Sequence, residues 1–391
     1  MATSTKISLP MAISIGIKAI VGVGLFTAPS ALQVIAGPAG IITYIIVSVA
    51  ALFMALAIAR VAQLYPERGA FYTYAKVWGG HFWGVLATAS YMIGLIIALG
   101  LLAYVGAGIY LHEYASNISP NILSVGLIAL VIAAHLAGAE IAKTGQKILL
   151  VLTYIPIILV TVLCLLKADT NNLVPFFPHG WMSIFTAVPF VIFGFFGFEA
   201  IPSLFADIQN PERNVPKAII WTILLVGLTY IVFTGSIFIG LPREFFVSAK
   251  TPISAALLPL YPTFTWLVAL INWAIIIAIT GVLHAMTWSL SALAIDTSHH
   301  MFGNALAMSK KTALLTIGVL SALSCLLFSG AINLMFDLTS IFIVFAYAAA
   351  IAALFKPRGR SPYQITIAIL GLITAGLIFC CGFANVIAAL R

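Results

Sequence analysis

Two stretches of the chain repeat one pattern of glycine, proline and serine within apolar segments. They read Val21-Gly22-Val23-Gly24-Leu25-Phe26-Thr27-Ala28-Pro29-Ser30 and Phe195-Phe196-Gly197-Phe198-Glu199-Ala200-Ile201-Pro202-Ser203. When Gly24 is aligned with Gly197, a proline follows five residues later in both stretches and a serine comes directly after it. Interrupted helical backbone is tolerated at membrane depth only where it lines a cavity or finds a partner. The pattern therefore predicts two broken membrane helices at matching positions.

The composition excludes a water-soluble protein. Of the 391 residues, 63% are hydrophobic and only 7% are charged, whereas soluble domains are about 25% charged. We interpret the net charge of +8 as a signal of membrane orientation rather than of nucleic-acid binding. The four cysteines, Cys164, Cys325, Cys380 and Cys381, lie in apolar stretches without ligand spacing, so neither a disulfide framework nor a metal site is predicted, and no cofactor is expected.

Eleven apolar segments are long enough to be membrane helices, which need about 20 residues to cross the bilayer. Their approximate ranges are 10–34, 39–63, 82–110, 120–139, 146–167, 181–208, 217–241, 263–295, 312–330, 332–355 and 362–389. The longest connections, 65–81 and 241–262, contain apolar residues and are expected to form short interfacial helices. Residues 1–391 are thus predicted to form a single transmembrane domain without a soluble domain.

The lysine and arginine count fixes the predicted orientation. With the N-terminus in the cytoplasm, thirteen of the 18 basic residues fall inside and four outside, while Lys18 lies within the first span. This asymmetry follows the positive-inside rule. We expect a multi-pass protein of the cell (inner) membrane, a monomer or homodimer, with a cytoplasmic N-terminus.

The two broken spans are separated by five spans, and an odd offset means that the second copy enters the membrane from the opposite side. The predicted arrangement is an inverted repeat: a first repeat at about 10–167, an inverted repeat at about 181–355 and an extra helix at about 362–389. Paired interruptions of this kind indicate a transporter's substrate site. The alternative is that these glycines only allow close helix packing.

A break near Gly22 and Gly24 frees N–H groups at the start of the outer half-helix, where the helix dipole adds roughly half a positive charge. A carboxylate suits that position. The carbonyls that end the inner half-helix, near Ile20 and Val21, carry the opposite partial charge and suit an ammonium group. The break therefore predicts a site for a zwitterion.

At these residues the sequence resembles the amino acid, polyamine and organocation (APC) family of transporters, which has the LeuT-type five-plus-five inverted-repeat fold. The run from Gly22 to Phe26 followed by Pro29 is similar to the family's G-S-G-I-F motif. The run Phe195 to Glu199, followed by Asn210-Pro211-Glu212-Arg213-Asn214-Val215-Pro216-Lys217-Ala218-Ile219, is similar to its F-x-G-F-E and N-P-x-R-x-I-P-x-A-I patterns. The loop from Tyr65 to Tyr72 also looks like a family turn. Val23 stands where the family often has serine, and eleven spans rather than twelve would lack the last helix.

The resemblance implies specific substrate contacts. Gly22, Val23 and Gly24 are expected to bind the substrate carboxylate through backbone N–H groups, and carbonyls near Ile20, Phe193 and Phe196 are expected to take the amino group. Phe193 is expected to close over the substrate.

Ionisable residues within spans are functional hypotheses by default. Glu199, beside the second break, is predicted to be a proton-coupling or gating carboxylate or the partner of a cationic substrate. The alternative is a carboxyl that only ties two helices.

Lys18 and Asp207 are predicted to form a cytoplasmic latch unless either side chain extends to the membrane interface. His284 is a candidate proton carrier, with a hydrogen-bonded packing role as the alternative, and Asp337 is expected to bridge helices. In the fifth span Thr153 occupies the position of a lysine that sodium-independent family members often carry, and no carboxylate-rich sodium site is evident.

These observations predict a secondary active transporter, not an enzyme, that moves neutral or cationic amino acids by alternating access, with proton coupling or exchange. A polyamine or organic-cation exchanger is the alternative. A channel is less favoured because no filter motif or ring of like charges is present. A membrane enzyme is disfavoured because the histidines match no catalytic spacing.

Overall fold

The protein is a helical bundle in which nearly every described residue belongs to a helix or a short connection. The computed structural model describes residues 6–65, 70–138, 143–302, 308–356 and 361–390. Most of the loop motif between Tyr65 and Tyr72 lies outside these ranges. Within them, the β pairing is one parallel bridge between Ile7 and Ile208.

The helices of the described ranges are numbered in chain order. They are α1 (Leu9–Ile20), α2 (Val23–Ile35), α3 (Gly40–Leu64), α4 (Ala70–Ala103), α5 (Pro120–Leu136), α6 (Lys143–Leu165), α7 (Ser183–Thr186), α8 (Val188–Phe193), α9 (Ala200–Ser203), α10 (Pro211–Gly240), α11 (Ile253–Leu257), α12 (Thr265–Phe302), α13 (Lys310–Leu327), α14 (Ile332–Ile351) and α15 (Pro362–Ala389).

The helices coincide with the predicted spans. Within the described residues, seven helices are long and apolar enough to cross a membrane, and the bent pair α1 and α2 adds an eighth. Shorter apolar helices occupy Pro120–Leu136, Leu152–Leu165 and Ser183–Phe193, within or overlapping the remaining three predicted ranges. The number of helices that cross the bilayer, and the repeat boundaries at 10–167 and 181–355, stay predictions.

The two connections expected to form interfacial helices do contain helical segments. Residues 71–79 form the first part of α4, which changes direction at Gly80, whose φ of 78° lies in the left-handed region that glycine tolerates. The connection after α10 contains the short helix α11 and 3₁₀ turns on either side of it. After Ala103, α4 continues as a π-helical segment over Tyr104–Leu111, a form often found at functional sites.

Two groups of helices surround the broken ones. The pairs α1/α2 and α8/α9 pack against α3 and α10, while α5, α12 and α13 pack around α4. The long helix α14 packs against α4 on one side and α15 on another, and α15 also contacts α3. The helix breaks therefore lie where the two groups meet.

Candidate functional site

The first break separates α1 from α2 by two residues. Val21 is extended, with φ −70° and ψ 107°, and Gly22 follows with φ −158° and ψ −144°. The two half-helices are bent by 50°. Because the first N–H groups of a helix have no partner within it, the start of α2 at Val23 and Gly24 presents donors toward the break, as predicted. The side chain of Val23 lies outside the described part of the structure.

The second break lies between α8, which ends at Phe193, and α9, which begins at Ala200. Gly197 within it has φ +114°, a conformation that non-glycine residues rarely adopt. The irregular segment is longer than the first one. The sequence placed this break correctly.

Glycine brings the two breaks into direct contact. A Cβ atom on Gly24 would lie 2.6 Å from the Cα of Gly194, and one on Gly197 would lie 2.3 Å from the carbonyl oxygen of Ala19. Both distances are shorter than the non-bonded contacts that Cβ atoms make in proteins, so only glycine fits at either place. The start of α2 thus faces the end of α8, and the second break faces the end of α1.

One tyrosine joins the two breaks from a neighbouring helix. Tyr230 on α10 is fully buried, and its hydroxyl oxygen lies 2.8 Å from the carbonyl oxygen of Gly194 and 3.2 Å from that of Ile20. The hydroxyl has one hydrogen to donate, and Gly194 is the nearer acceptor. Each carbonyl has two lone pairs, so Ile20 retains accepting capacity for the predicted ammonium group. The sequence did not single out Tyr230, because only the fold places α10 behind both breaks.

Glu199 is tied to two helices outside its own segment. The hydroxyl of Tyr91 on α4 donates to Oε1 at 2.5 Å, and the hydroxyl of Tyr347 on α14 donates to Oε2 at 2.7 Å. The backbone N–H of Gly197 also donates to Oε2, at 3.0 Å. Glu199 is half-buried. This arrangement matches the expectation of a carboxyl that ties helices, and it places both oxygens in hydrogen bonds.

Aromatic rings line the region between the breaks. Phe193 makes edge contacts with Phe196 and Phe336, with ring centroids 6.3 and 4.9 Å apart. Phe196 in turn meets Tyr347 edge-on at 6.0 Å. Phe193 is 7% exposed, whereas Phe196 is partly open. The carbonyl of Phe193 accepts from the N–H of Phe196 at 3.3 Å. The ring of Phe193 therefore lies beside the break within an apolar wall, and its closing over a substrate stays a prediction.

The half-helix α2, which follows the first break, is held by the connection around α11 and by Tyr110. The hydroxyl of Ser30 donates to the carbonyl oxygen of Thr251 at 2.8 Å, and that of Tyr110 donates to the carbonyl oxygen of Phe26 at 3.1 Å. The N–H of Ile253, at the start of α11, donates to the Tyr110 hydroxyl at 3.3 Å. The repeated serine of the first stretch thus anchors α2 to this connection.

Lys18 and Asp207 lie near the N-terminal side of the bundle, as predicted, but the contact described there is made by backbone. The N–H of Ile7 donates to the carbonyl oxygen of Asp207 at 2.9 Å, and the N–H of Gln209 donates to that of Ile7 at 2.9 Å. The side chain of Asp207 is exposed, while Lys18 is half-buried. The side-chain latch between Lys18 and Asp207 stays a prediction.

The other predicted membrane residues fall on the surrounding helices. Asp337 on α14 is 4% exposed and accepts from the amide of Asn385 on α15 at 2.9 Å, which fits the expected helix bridge. The ring of His284 on α12 stacks on that of His135. In the same helix, Thr287 and Ser291 donate to carbonyls of their own helix. Thr153 is buried on α6.

Broken helices at matching positions within two helix groups are the architecture of LeuT-type membrane transporters. A solved structure of this fold, MhsT in complex with L-phenylalanine, superposes with a TM-score of 0.66, covering 96% of this chain and 97% of that chain at 16% identity. The amino acid permease family model matches residues 7–390. The chain therefore belongs to the amino acid permease family, whose members are transporters rather than enzymes.

Named relatives are between 22% and 26% identical to the chain over the aligned residues. The branched-chain amino acid permease BcaP of Bacillus subtilis is 26% identical over 294 residues, which make up 70% of this chain and 63% of the relative. Cationic amino acid transporter 7, chloroplastic, of Arabidopsis thaliana is 24% identical over 62% of this chain and 46% of the relative. Cationic amino acid transporter 1 of the same plant is 22% identical over 88% of this chain and 61% of the relative. The chain thus spans between 46% and 63% of these relatives.

Replacing Tyr230 with phenylalanine keeps the buried ring but leaves the carbonyls of Gly194 and Ile20 without their shared donor. Because a buried acceptor that loses its partner costs about 1–3 kcal/mol, we expect the free energy of unfolding to fall by about 1–2 kcal/mol. Denaturation in detergent micelles measures this change. Tyr363→Phe, at a tyrosine that is 57% exposed, is the control; equal stability losses in both variants would contradict the bridging role.

Proposed function

We propose that this chain is a secondary transporter of neutral, apolar amino acids that works by alternating access. The observation that carries the proposal is the contact between two helix breaks beside a carboxylate, Glu199, whose two oxygens are already held by tyrosine hydroxyls. The breaks supply a zwitterion site, and the carboxylate is engaged by the protein's own donors rather than turned toward a substrate.

The substrate's carboxylate would bind at the start of α2. Backbone N–H groups of Val23 and Gly24 and the positive end of the helix dipole favour an anion there. The ammonium group would bind the carbonyls at the ends of α1 and α8, near Ile20, Phe193 and Phe196. Both ionic groups of an amino acid then meet partial charges of the opposite sign without any charged side chain.

The substrate's side chain would face the aromatic wall. Phe193, Phe196, Phe336 and Tyr347 offer apolar area and ring edges, which suit aliphatic and aromatic side chains. A lysine or arginine side chain, or the second amine of a polyamine, would have to compete with the tyrosine hydroxyls for Glu199, which already accepts three hydrogen bonds. This favours the branched-chain specificity named for BcaP over the cationic specificity named for the plant relatives.

Glu199 acts as a latch between the two helix groups in this proposal. It lies beside α9, which moves with α1, whereas its partners Tyr91 and Tyr347 lie on α4 and α14. Hydrogen bonds to an ionised acceptor are about twice as strong as neutral ones. While the three side chains remain joined, they hold α9 against α4 and α14 and close the path on the N-terminal side of the bundle. Opening toward that side requires the latch to break.

We place the N-terminus in the cytoplasm, because the positive residues favour that side by thirteen to four. We propose proton coupling or exchange as the driving force; the hydroxyls of Thr287 and Ser291 on α12 donate to carbonyls of their own helix. Lys18 and Asp207 are retained as a second closure on the cytoplasmic side.

Uptake into proteoliposomes tests the substrate class. Radiolabelled leucine, isoleucine, valine, phenylalanine, arginine, lysine, glutamate and putrescine are offered with and without a pH gradient and with and without sodium. We expect leucine, isoleucine, valine and phenylalanine to accumulate at least ten-fold over the others, because the aromatic wall offers apolar contacts to their side chains. Accumulation of arginine, lysine or putrescine alone would overturn the side-chain assignment, and no uptake of any compound would overturn the transport proposal.

Gly24→Ala tests the contact between the breaks. The added methyl would lie 2.6 Å from the Cα of Gly194, and overpacking of this kind costs about 1–3 kcal/mol. We expect uptake at low substrate concentration to fall by about ten-fold, because the carboxylate donors of α2 are displaced. Gly235→Ala is the matched control, since its nearest neighbour lies at 3.8 Å; an equal loss in the control would argue against a special role for Gly24.

Glu199→Gln tests the latch against a substrate-binding role. Loss of the charge weakens the bonds from Tyr91 and Tyr347. Because alternating access also requires this side to close again, we expect the maximal rate to fall by about ten-fold for every substrate without a change in preference. Tyr347→Phe should lower the rate similarly, and the double variant should lose less than the product of the two effects, because both changes break the same latch. A selective loss of cationic substrates in Glu199→Gln would instead identify Glu199 as a substrate partner.

A further inference from the structure

A buried carboxyl group lies on α14, outside the candidate substrate site. Asp337 is 4% exposed, and its Oδ1 accepts a hydrogen bond from Nδ2 of Asn385 on α15 at 2.9 Å. The partner of this carboxyl is thus a neutral amide. Ionisable residues within membrane helices often mark proton relays or ion paths, so Asp337 is a candidate site for a proton.

Asn385 connects Asp337 to the second broken span. Its Nδ2 also donates to the carbonyl oxygen of Thr186, at 2.9 Å. A carbonyl can only accept, which fixes the NH₂ end of the amide on this side, and its two hydrogens serve the carboxyl and the carbonyl. Thr186 is the last residue of α7, directly before α8. We call Asp337, Asn385 and the carbonyl of Thr186 the amide clamp, because they hold α7 and α8 to α14 and α15.

The same turns of α14 contact α8 and the aromatic wall of the candidate site. Phe336 packs against Phe190 and Phe193, with ring centroids 4.8 and 4.9 Å apart. The hydroxyl of Ser340 donates to the carbonyl oxygen of Pro189 at 3.0 Å. A change in how α8 is held against α14 therefore alters the position of Phe193, whose ring the proposed function places beside the substrate.

The amide clamp lies at the end of the bundle opposite the start of α1. The hydroxyl of Thr43, in the first turn of α3, donates to the carbonyl oxygen of Ile184 at 3.1 Å, and α3 begins where α2 has ended. The last helix, α15, ends at Ala389, roughly 6 Å along its axis from Asn385. Because Asn385 is half-buried, the path from this end of the bundle to Asp337 is short.

Titratable side chains on the elements that pack against α14 make no ion pair with Asp337 within the described residues. On α14 itself, Tyr347 lies roughly 15 Å further along the helix axis. Lys250 has its Nζ beside Gly330, roughly 10 Å before Asp337 along the chain. Neither α8 nor the 3₁₀ segment Ala352–Phe355 carries a titratable side chain. The remaining titratable residues on the packed elements are Tyr72, Tyr74, Lys76, His81 and Tyr91 on α4, Tyr44 and Arg60 on α3, and Tyr363, Cys380 and Cys381 on α15.

The charge on Asp337 determines how firmly the clamp holds. A hydrogen bond to an ionised acceptor is about twice as strong as one to a neutral group, so the amide of Asn385 is held best by the carboxylate. A buried carboxylate without a cation is costly, and a bound proton removes that cost. The proton also weakens the bond from Asn385, which leaves the amide less firmly placed against the carbonyl of Thr186.

We propose that Asp337 is a proton-binding site and that Asn385 transmits its protonation to the second broken span. With Asp337 ionised, the amide clamp holds α7 and α8 against α14; with Asp337 protonated, the clamp loosens and this end of the bundle opens more readily. The effect on uptake rests on the transporter function proposed above, whereas the binding of the proton does not. Glu199 acts in that function at the other end of the bundle.

The proton site is tested first without transport. Infrared spectra of the purified protein in lipid nanodiscs are recorded from about pH 5 to 9, because a protonated carboxyl has a C=O stretching band that a carboxylate lacks. We expect a band that is missing in Asp337→Asn and that falls as the pH rises. Asp169→Asn, at an exposed carboxylate after α6, is the control and should keep the band. Absence of the Asp337 band at pH 5, or a constant band up to pH 9, would overturn the proposal.

Exchange of labelled for unlabelled substrate across proteoliposomes then tests the clamp, with the same pH on both sides. We expect wild type to be about five-fold faster at pH 5.5 than at pH 8. Asp337→Asn and Asn385→Leu should both be as fast at pH 8 as wild type is at pH 5.5, because each leaves the clamp permanently loose. Residues that only stabilise the fold would instead lower the rate at both pH values when replaced. Asp169→Asn should keep the wild-type profile.

The failure of this proposal can be distinguished from that of the proposed function. Absence of exchange at every pH overturns the transporter proposal, while the infrared titration still decides the proton site. A wild-type pH profile in Asp337→Asn, or slow exchange at both pH values in this variant, overturns the control by the clamp. Elution of each variant as a single sharp peak from size-exclusion chromatography confirms that it is folded.

Discussion

The structure depends on how backbone groups are satisfied where two membrane helices are broken. In hydrocarbon, an unpaired N–H or C=O group costs several kcal/mol, so such breaks persist only with partners. Here the carbonyls of Ile20 and Gly194 are met by the buried hydroxyl of Tyr230, and the N–H of Gly197 is met by Glu199. The groups that remain at the start of α2 and the ends of α1 and α8 form the candidate site. The same constraint therefore accounts for the cost of a broken helix and for the open backbone groups at which we propose that a zwitterion binds.

Glycine makes this arrangement compact. Gly24 lies against Gly194, and Gly197 lies against the last turn of α1, so the two breaks support each other without intervening side chains. Because backbone meets backbone, the positions of the donors and acceptors are set by main-chain geometry rather than by flexible side chains. Preorganised donors of this kind bind an ionic group without first having to be ordered.

Glu199 joins helices to one another, whereas the open backbone groups at the breaks form the candidate substrate site. Glu199 is the ionisable residue nearest the second break, yet its oxygens face Tyr91 and Tyr347. It is thus placed to control how helices meet. In the proposed function, backbone groups recognise the substrate, while Glu199 controls how the helices meet.

The sequence determined the membrane class, the location of the helices and the two breaks, because these depend on local composition: apolar runs of fixed length, and glycine and proline where a helix is interrupted. It also singled out Glu199, Phe193 and Phe196 as candidate site residues from their positions beside a break, and their roles stay predictions. The tertiary structure decided which groups meet. Tyr230, Tyr91, Tyr347 and His135 lie on helices distant in sequence, and in a chain with 13 tyrosines no local pattern distinguishes them. Likewise, the approach of Ile7 to Asp207 is a backbone pairing that no side-chain pattern encodes. Residue spacing specifies each helix, whereas contacts between helices depend on how their faces pack, and only the folded bundle fixes that.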